Sequence, residues 1–575
     1  MIGPGRRLFP GSLRPRGRRG AGTWTGLLLA VTAASLLANC GSPQAPDLIL
    51  ADARVFTADT ARPWAGAVAV REGRIAAVGA TEEIRRLAGR ETRTLDLDGR
   101  PVVPGLVDAH EHVVWPEPDG VRLELSAQGP MPDPSWTEVR AAIESAAKEV
   151  PEGTWIQGTV GPSVLSDPRA DRAALDAVAA GRPVKLEGAT GHGLLLNSAA
   201  LQRLGLDEEA EDPPGGWFGR VAGARTLNGW LWEYAQFAAE RRLLEDVPTS
   251  AGVEAVRAFE NAALGWGITS VHETGSPLRL EAHLEILERA APEIRWTVYR
   301  FPMSPGDVGD AAGDSLPVTA PANIRVAGVK WILDGTPVDG NVLSRRPVPD
   351  GGHGRMNFSA DEVRTLLAKA LERDEQPALH VAGDSTLALV LGTMEGLADA
   401  PAWQKLRVRI EHGDGLGGGL VGRASRLGLV LVQNPLHFQA IAALAKTGGE
   451  DRVARPAQAL RSAREAGIRV ALGSDAGGSA RNPWLNLMLA VTHPARPEEA
   501  LSREEALRAY TLGGAYAEGT EDRKGRLVPG AAADLAVLSQ DVFEVPVERL
   551  PQTRSLLTLV DGEVVHVDRE LAGAP

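Results

Sequence analysis

The segment that decides the fold is Pro104-Gly-Leu-Val-Asp-Ala-His-Glu-His112, which continues an apolar run that begins at Val102. Such a run predicts a buried strand, and in a strand the side chains of residues i and i+2 point to the same side. His110 and His112 would then lie side by side at the end of the strand, where two imidazoles can chelate a metal ion. Two surface histidines that fall two apart by chance are the alternative. Because the chain has only 11 histidines in 575 residues, and the apolar run leads directly into this pair, we favour a metal site.

Residues 1–39 have the pattern of an export signal. They contain six Arg and no acidic residue, and their apolar stretch is too short to span a membrane. The single cysteine, Cys40, follows directly, and Leu37-Ala-Asn-Cys40 resembles the lipobox of bacterial lipoproteins. We therefore predict a lipoprotein signal peptide over residues 1–39, a lipid on Cys40, a linker over residues 40–46 and a place in the bacterial cell envelope outside the cytoplasm. An ordinary signal peptide with an incidental cysteine is the alternative.

The composition limits the partners and the metal ligands. Removal of residues 1–39 lowers the formal net charge from −13 to −19, which argues against a nucleic-acid partner and makes the lipid the predicted membrane contact. With one cysteine there is neither a disulfide framework nor a thiolate metal site. Any metal must therefore be held by histidine, carboxylate or a modified lysine. The sequence leaves open whether the protein forms a homo-oligomer.

The two ends of the chain share a pattern of short alternating strands separated by Gly and Asp. We predict that residues 47–103 and 523–568 form one small β-sandwich domain. Residues 104–522 alternate apolar runs with amphipathic stretches, which is typical of an α/β fold with a (β/α)8 barrel of the TIM type. Residues 115–257 are too many for one βα unit, and we predict an inserted lobe there that covers the mouth of the barrel.

The apolar runs of the middle region outnumber the eight strands of such a barrel. Besides the run from Val102, the candidate strands cover residues 154–158, 184–187, 268–272, 295–301, 324–333, 378–382, 408–412, 429–433 and 469–474. The sequence does not assign each of them to the barrel.

Catalytic groups of a βα barrel lie where strands end, and four further residues with suitable chemistry lie at the ends of, or within, apolar runs. They are Lys330, His380, His412 and Asp475. Satisfied core histidines are the alternative for His380 and His412, and a turn cap is the alternative for Asp475. Lys330 could instead pair with Asp334 or Asp384.

Taken together, these motifs resemble the amidohydrolase superfamily, and more narrowly its YtcJ-type branch, which includes N-substituted formamide deformylases. The resemblance covers roughly residues 47–568. The segments that carry it are residues 104–112, 191–201, 267–275, 330–335, 380–384, 409–412, 473–476 and 524–538.

The resemblance implies one or two divalent ions, usually zinc. It places the more buried ion on His110, His112 and Asp475, and the second ion on His380 and His412. Each of these residues matches a position of the family pattern, and nitrogen and carboxylate ligands suit zinc.

The resemblance also implies roles for Lys330 and Asp475. Lys330 would bridge both ions as an N-carboxylated lysine, because an ammonium group cannot ligate a cation. Metal coordination would make a bound water acidic, Asp475 would take its proton and pass it to the leaving group, and the second ion would polarise the carbonyl of the substrate.

Three further residues are candidate substrate contacts. His192 lies in Gly191-His-Gly, where a purely structural turn is the alternative. His272 also ends an apolar run, and because the family pattern does not make it a ligand, we predict it at the pocket wall or behind the ligands. The segment after Lys330 departs from the family pattern, and Arg345 within it could receive a substrate carboxylate or simply be solvated.

The sequence therefore predicts a metal-dependent hydrolase of a carbon–nitrogen bond in an amide- or formamide-type small molecule. A deaminase or a cyclic-amide hydrolase is the alternative within the same fold. A non-catalytic surface lipoprotein that binds a small ligand is the alternative from another class. The full set of six candidate ligands argues against it, because a binding module does not need all six.

Overall fold

The computed structural model describes residues 45–126, 132–305, 321–344, 354–448 and 457–572. The predicted signal peptide, Cys40 and Arg345 lie outside these residues. Within them, no helix combines the length and the apolar character that a membrane span requires.

Two sheets combine strands from both ends of the chain. The N-terminal strands are β1 (Leu48–Ala51), β2 (Arg54–Phe56), β3 (Trp64–Ala65), β4 (Ala67–Arg71), β5 (Arg74–Gly79), β6 (Arg93–Asp96) and β7 (Pro101–Pro104), and the C-terminal strands are β22 (Leu535–Leu538), β23 (Ser555–Val560) and β24 (Glu563–Val567). One sheet has the order β5-β4-β1-β6, and the other has the order β24-β23-β22-β7-β2-β3. Val68 of the first sheet and Val537 of the second belong to one buried apolar cluster, so the two sheets share a core.

An eight-stranded parallel sheet forms the nearly closed barrel. Its strands are β8 (Leu106–Glu111), β15 (Ile268–Glu273), β16 (Arg295–Arg300), β17 (Ile324–Ile332), β18 (Pro377–Val381), β19 (Arg409–His412), β20 (Val430–Gln433) and β21 (Arg469–Leu472). The order is β21-β20-β19-β18-β17-β16-β15-β8, so neighbours in the sequence are neighbours in the sheet. The strands are buried along almost their whole length, as in a parallel sheet covered on both faces.

The last and first strands of the barrel are joined just beyond β21. The Asp475 amide donates to the His110 carbonyl over 2.9 Å. The amide and the hydroxyl of Ser474 donate to the Asp108 carboxylate over 2.9 and 2.6 Å. These bonds place Asp475 next to the histidine pair, although 365 residues separate it from His110 in the sequence.

The apolar run that opens the barrel is two strands rather than the single strand predicted from Val102. Strand β7 belongs to the terminal sheet and β8 to the barrel, and Gly105 lies between them. A Cβ atom at Gly105 would lie 2.2 Å from the Thr269 hydroxyl oxygen, so glycine lets the junction between the two strands pass close to Thr269.

The inserted lobe contains a six-stranded sheet of order β13-β14-β12-β11-β10-β9. Its strands are β9 (Gly120–Arg122), β10 (Trp155–Val160), β11 (Val184–Gly188), β12 (Gly193–Leu196), β13 (Gly216–Arg220) and β14 (Leu227–Glu233). The strand candidates at residues 154–158 and 184–187 therefore belong to the lobe, which explains why the candidates exceeded eight. The predicted end of the lobe at residue 257 falls inside a helix, Thr249–Trp266.

Helices surround these sheets. In chain order they are α1 (Thr81–Arg85), α2 (Trp136–Glu149), α3 (Pro162–Leu165), α4 (Arg172–Ala179), α5 (Ser198–Arg203), α6 (Tyr234–Glu245), α7 (Thr249–Trp266), α8 (Leu280–Ala290), α9 (Ala360–Arg373), α10 (Asp384–Leu397), α11 (Ala400–Leu406), α12 (Gly419–Leu427), α13 (Pro435–Gly448), α14 (Arg461–Glu465), α15 (Pro483–Thr492), α16 (Arg503–Arg508), α17 (Gly514–Ala517) and α18 (Arg569–Ala572). Ser359 and Glu362 form a capping box at the start of helix α9, which fixes where this helix begins.

Candidate metal centre

Four histidines and one aspartate meet where the barrel strands end. His110 and His112 come from the end of β8, His380 from β18, His412 from β19, and Asp475 from the segment after β21. The ring centres of His110 and His112 are 5.2 Å apart, those of His110 and His412 are 5.0 Å apart, and those of His380 and His412 are 4.5 Å apart. Five of the six predicted ligands are therefore neighbours, and we call these five residues the mouth cluster.

Each ring of the mouth cluster has one nitrogen held by an oxygen atom outside it. The pairs are His110 Nδ1 with Glu411 Oε2 at 2.5 Å, His112 Nδ1 with the Gly275 carbonyl at 2.7 Å, His380 Nε2 with the Gly335 carbonyl at 3.1 Å, and His412 Nδ1 with Asn434 Oδ1 at 2.9 Å. A ring nitrogen that donates to an oxygen leaves a lone pair on the other nitrogen, which is the form that binds a metal.

The spacing around Asp475 fits a shared cation. Asp475 Oδ1 lies 3.8 Å from His110 Nε2 and 3.6 Å from His112 Nε2, too far for hydrogen bonds. Two ligands that each lie 2.0–2.1 Å from a tetrahedral ion are about 3.4 Å apart. In addition, His110, His412 and Asp475 offer donor atoms that all lie within 4.8 Å of one another. The residues present therefore fit a divalent ion.

The electrostatics of the mouth cluster also suit a cation. Burial lowers the pKa of His110 to about 4, and it lowers the pKa values of His112, His380 and His412, so these rings are neutral at pH 7. Burial alone would raise the pKa of Asp475, but attraction to the protonated forms of the surrounding histidines and to the Lys330 ammonium holds the pKa well below the usual value. A buried carboxylate among neutral rings is an anionic site.

Lys330 is directed at the mouth cluster. It is buried, its Nζ lies 3.5 Å from His110 Nε2, and burial lowers its pKa to about 8. The alternative pair with Asp334 does not form, because the Asp334 carboxylate accepts from the amides of Ala382 and Gly383 and from the Thr386 hydroxyl. The sixth predicted ligand therefore also lies at the centre.

His192 lies at the edge of the mouth cluster on the side of the lobe. Its ring centre is 4.7 Å from that of His380, and its Nδ1 lies 3.1 Å from both carboxylate oxygens of Glu233. Burial would lower the pKa of His192, but the Glu233 carboxylate outweighs it and raises the pKa to about 9. His192 thus forms a buried ion pair with Glu233, which a purely structural turn does not require.

His272 does not fit the predicted role of a substrate contact. It is fully buried, its Nδ1 accepts from Arg409 Nη1 over 3.0 Å, and its Nε2 lies 3.3 Å from Glu518 Oε2. Because both ring nitrogens face charged groups inside the barrel, His272 lies behind the ligands, which is the second of its two predicted places, and not at the pocket wall. Arg409 also binds Glu411, which in turn holds His110.

The sequence-based prediction missed His437. Its Nε2 lies 3.4 Å from Asp475 Oδ2, and its ring centre is 5.2 Å from that of His412. A signal was present, since Asn434 and His437 directly follow the apolar run of β20, where catalytic groups of a barrel lie. Glu233 had no such signal, because it belongs to the lobe.

Known proteins resemble this chain along most of its length. A model of the amidohydrolase family matches residues 93–566. An N-substituted formamide deformylase from Arthrobacter pascens is 29% identical over 552 residues, which cover 90% of this chain and 98% of that protein. The Bacillus subtilis protein YtcJ is 26% identical over 526 residues, which cover 87% of this chain and 96% of that protein.

Among solved structures, an uncharacterized metal-dependent hydrolase from Pyrococcus horikoshii has a TM-score of 0.66 at 20% identity, and the match covers 87% of this chain and 99% of that chain. That likeness confirms the barrel fold. Because the family model spans far more than half of the sequence, the chain belongs to the amidohydrolase family.

Proposed function

We propose that this amidohydrolase cleaves a carbon–nitrogen bond of an amide- or formamide-type small molecule by adding water to its carbonyl carbon. The observation that carries the proposal is the Asp475 carboxylate, whose Oδ1 lies 3.6–3.8 Å from the Nε2 atoms of His110 and His112. A formamide bond is favoured among amides because the deformylase relative matches nearly its full length.

The proposed metal is zinc, as one or two ions. His110, His112 and Asp475 would hold the first ion, and His380 and His412 the second. Lys330 would help to hold the metal after its uncharged amine has added CO2 and lost a proton to form a carbamate, and the depressed pKa of this buried lysine favours the uncharged amine that this addition requires. A divalent ion supplies a Lewis acid for the carbonyl oxygen and makes water more acidic.

The chain's own residues then move the proton and hold the substrate. Asp475 accepts a proton from the attacking water and delivers it to the leaving nitrogen, since its carboxylate is ionised at neutral pH. Glu411, Asn434 and the Gly275 carbonyl keep the rings of the mouth cluster in one orientation. His192, at the edge of this cluster, is the proposed contact to a polar atom of the substrate.

The test combines metal analysis with hydrolysis assays. The purified protein is analysed for bound metals and then assayed against N-formyl and N-acyl compounds with substituents of increasing size. We expect one or two zinc ions per chain and turnover of at least one compound class. A protein that binds metal but hydrolyses none of them, and deaminates none of a parallel set of aminopurines and aminopyrimidines, would instead be a binding protein.

We also propose that the enzyme works in the cell envelope on a lipid at Cys40. The basic segment, the short apolar stretch and the cysteine support this location. The full-length chain is expressed in a bacterium, and membranes are separated from soluble material. Cys40→Ser should move the protein from the membrane fraction to the soluble fraction, whereas unchanged partitioning would contradict the lipid anchor.

A further inference from the structure

Glu233 has a backbone conformation that is suited to glycine. Its φ is 55° and its ψ is −126°, immediately before helix α6. Gly418 stands at the same position before helix α12, with φ 55° and ψ −130°. Since L side chains rarely adopt these angles, the chain uses glycine at one of the two sites and tolerates strain at the other.

The strained residue is also a buried carboxylate. Glu233 has no exposed surface, and its oxygens accept hydrogen bonds from His192 Nδ1 at 3.1 Å and from Asn357 Nδ2 at 2.9 Å. Asn357 Nδ2 also donates to the Ile332 carbonyl at the end of strand β17 over 3.0 Å. The carboxylate therefore connects a turn of the lobe to the rim of the barrel, beside the mouth cluster.

The helix does not explain why glutamate is present. The Glu233 side chain makes no capping hydrogen bond to helix α6, and glycine would adopt the same backbone angles without strain. What glycine would lack is the acceptor for His192. Non-glycine residues in such conformations occur mostly at functional sites, where the surrounding structure maintains the strain.

We propose that Glu233 is a positioning residue that holds His192 against the mouth cluster, so that the opposite ring nitrogen, Nε2, meets the substrate. This inference rests on the proposed function, because His192 is there the substrate contact. A buried carboxylate that accepts from one ring nitrogen fixes the orientation of the ring, as it does behind metal-bound histidines. The lobe thereby contributes a fixed polar group to a site built by the barrel.

The test is a double-mutant cycle on the metal-loaded enzyme, with the best compound of the hydrolysis panel. Glu233→Gln keeps the size of the side chain and one acceptor, and Glu233→Gly removes the carboxylate together with the strain. We expect kcat/KM to fall by about 10- to 100-fold in Glu233→Gly and by less in Glu233→Gln, the usual range for residues that orient a functional histidine. Zinc content should stay unchanged.

The cycle is completed with His192→Gln. If Glu233 acts through His192, Glu233→Gly should cause little further loss of kcat/KM in a His192→Gln background. Fully additive losses, or a wild-type kcat/KM in Glu233→Gly, would overturn the inference. Gly418→Ala is the matched control, since it places a side chain on the same backbone angles where the added Cβ atom would meet no other atom within 4 Å. It should lower Tm and leave kcat/KM unchanged.

A second readout does not depend on hydrolysis. The imidazole N–H of His192 should give a downfield proton resonance, identified by its loss in His192→Gln. It should disappear in Glu233→Gly and persist in Asp475→Asn. If the wild-type enzyme hydrolyses no compound of the panel but this pattern is found, the proposed function fails while the positioning of His192 holds. If the resonance is unchanged in Glu233→Gly, the inference fails whatever the activity.

Discussion

The interior of the barrel contains two polar regions that are built in opposite ways. The mouth cluster has donors and acceptors that face one another at 3.6–3.8 Å without bonding. Below it, His272, Arg409, Glu518 and Lys524 form a second group, which we call the inner column. There the distances are those of hydrogen bonds and ion pairs, with Arg409 Nη1 at 3.0 Å from His272 Nδ1 and Lys524 Nζ at 2.6 Å from Glu518 Oε1.

This difference in distances distinguishes the proposed metal site, the mouth cluster, from the inner column that supports it. Arg409 and Lys524 of the inner column are paired with the carboxylates of Glu411 and Glu518, so these charges require no ligand. The Asp475 carboxylate of the mouth cluster lies 3.6–3.8 Å from the Nε2 atoms of His110 and His112, too far for hydrogen bonds. Glu411 joins the two regions, because one of its oxygens accepts from Arg409 Nε at 2.7 Å and the other lies 2.5 Å from His110 Nδ1. Substitutions in the mouth cluster should therefore lower catalysis, metal binding or both, and substitutions in the inner column should lower the stability of the fold.

The largest expected effect comes from Asp475→Asn. We expect kcat to fall by about 10²- to 10⁴-fold even at zinc concentrations that restore the metal content, because the amide cannot accept the proton that a general base takes. Steady-state assays and metal analysis measure both quantities. Asp98→Asn is the control, since Asp98 is an exposed turn residue. Retained turnover in Asp475→Asn would remove this residue from the mechanism.

Arg409→Met should have the next largest effect, on stability. Arg409 is fully buried and binds Glu411, His272, Tyr299 and the Ala109 carbonyl, so its loss leaves a buried carboxylate unpaired. Removal of one partner of a buried ion pair costs about 3–5 kcal/mol. Denaturant unfolding of the metal-free protein measures this cost. Arg169→Met, which removes an exposed ion pair, should cost far less stability than Arg409→Met.

If the Arg409→Met variant were as stable as the wild type, the inner column would not be needed to support the fold. If the variant lost stability but kept normal zinc affinity in the folded fraction, the roles of the mouth cluster and the inner column would be shown to be separate. In that case Glu411 would hold His110 without help from the column.

The predicted ligands could be found from the sequence because they follow a local rule. Parallel barrel strands end at one rim, so His110, His380, His412 and Asp475, each at the end of an apolar run, were predicted to meet there. His272 obeys the same rule and yet belongs to the column. What distinguishes it are Arg409 and Glu518, which lie more than 130 residues away in the sequence, and no local pattern reveals such contacts.

Metal removal should have a stability effect of intermediate size, and this effect should depend on the mouth cluster. A ligand present at 100 times its Kd stabilises the folded state by about 2.7 kcal/mol, so a chelator should lower the Tm of the wild-type protein and added zinc should restore it. His412→Asn should respond much less to either treatment, and asparagine tolerates the φ of 65° at this position. A Tm that the chelator does not change would indicate that the mouth cluster contributes no ion-dependent stability.

The inserted lobe contributes residues that cannot be found by looking for polar residues at the ends of barrel strands. Its existence followed from the length of residues 115–257, but its contribution to the site did not. His192 was selected for its glycine-flanked turn, while its partner Glu233 comes from the end of β14, which pairs with β12 in the lobe sheet. The pairing of those strands brings the two residues together, and pairing partners in a mixed sheet cannot be read from alternation alone.

The smallest expected effect is the acid sensitivity of the column. Burial would raise the pKa of Glu518, but Lys524 and His272 outweigh it and hold the pKa well below the usual value. A carboxyl with a depressed folded-state pKa stabilises the protein above its unfolded pKa, about 4.3, and loses that contribution as the pH falls towards the folded value. Urea midpoints of wild type and Glu518→Gln, measured from pH 7 to pH 3, should therefore converge as the pH falls. A constant difference across this range would mean that the charge of Glu518 does not stabilise the column, and that only its shape and hydrogen bonds do.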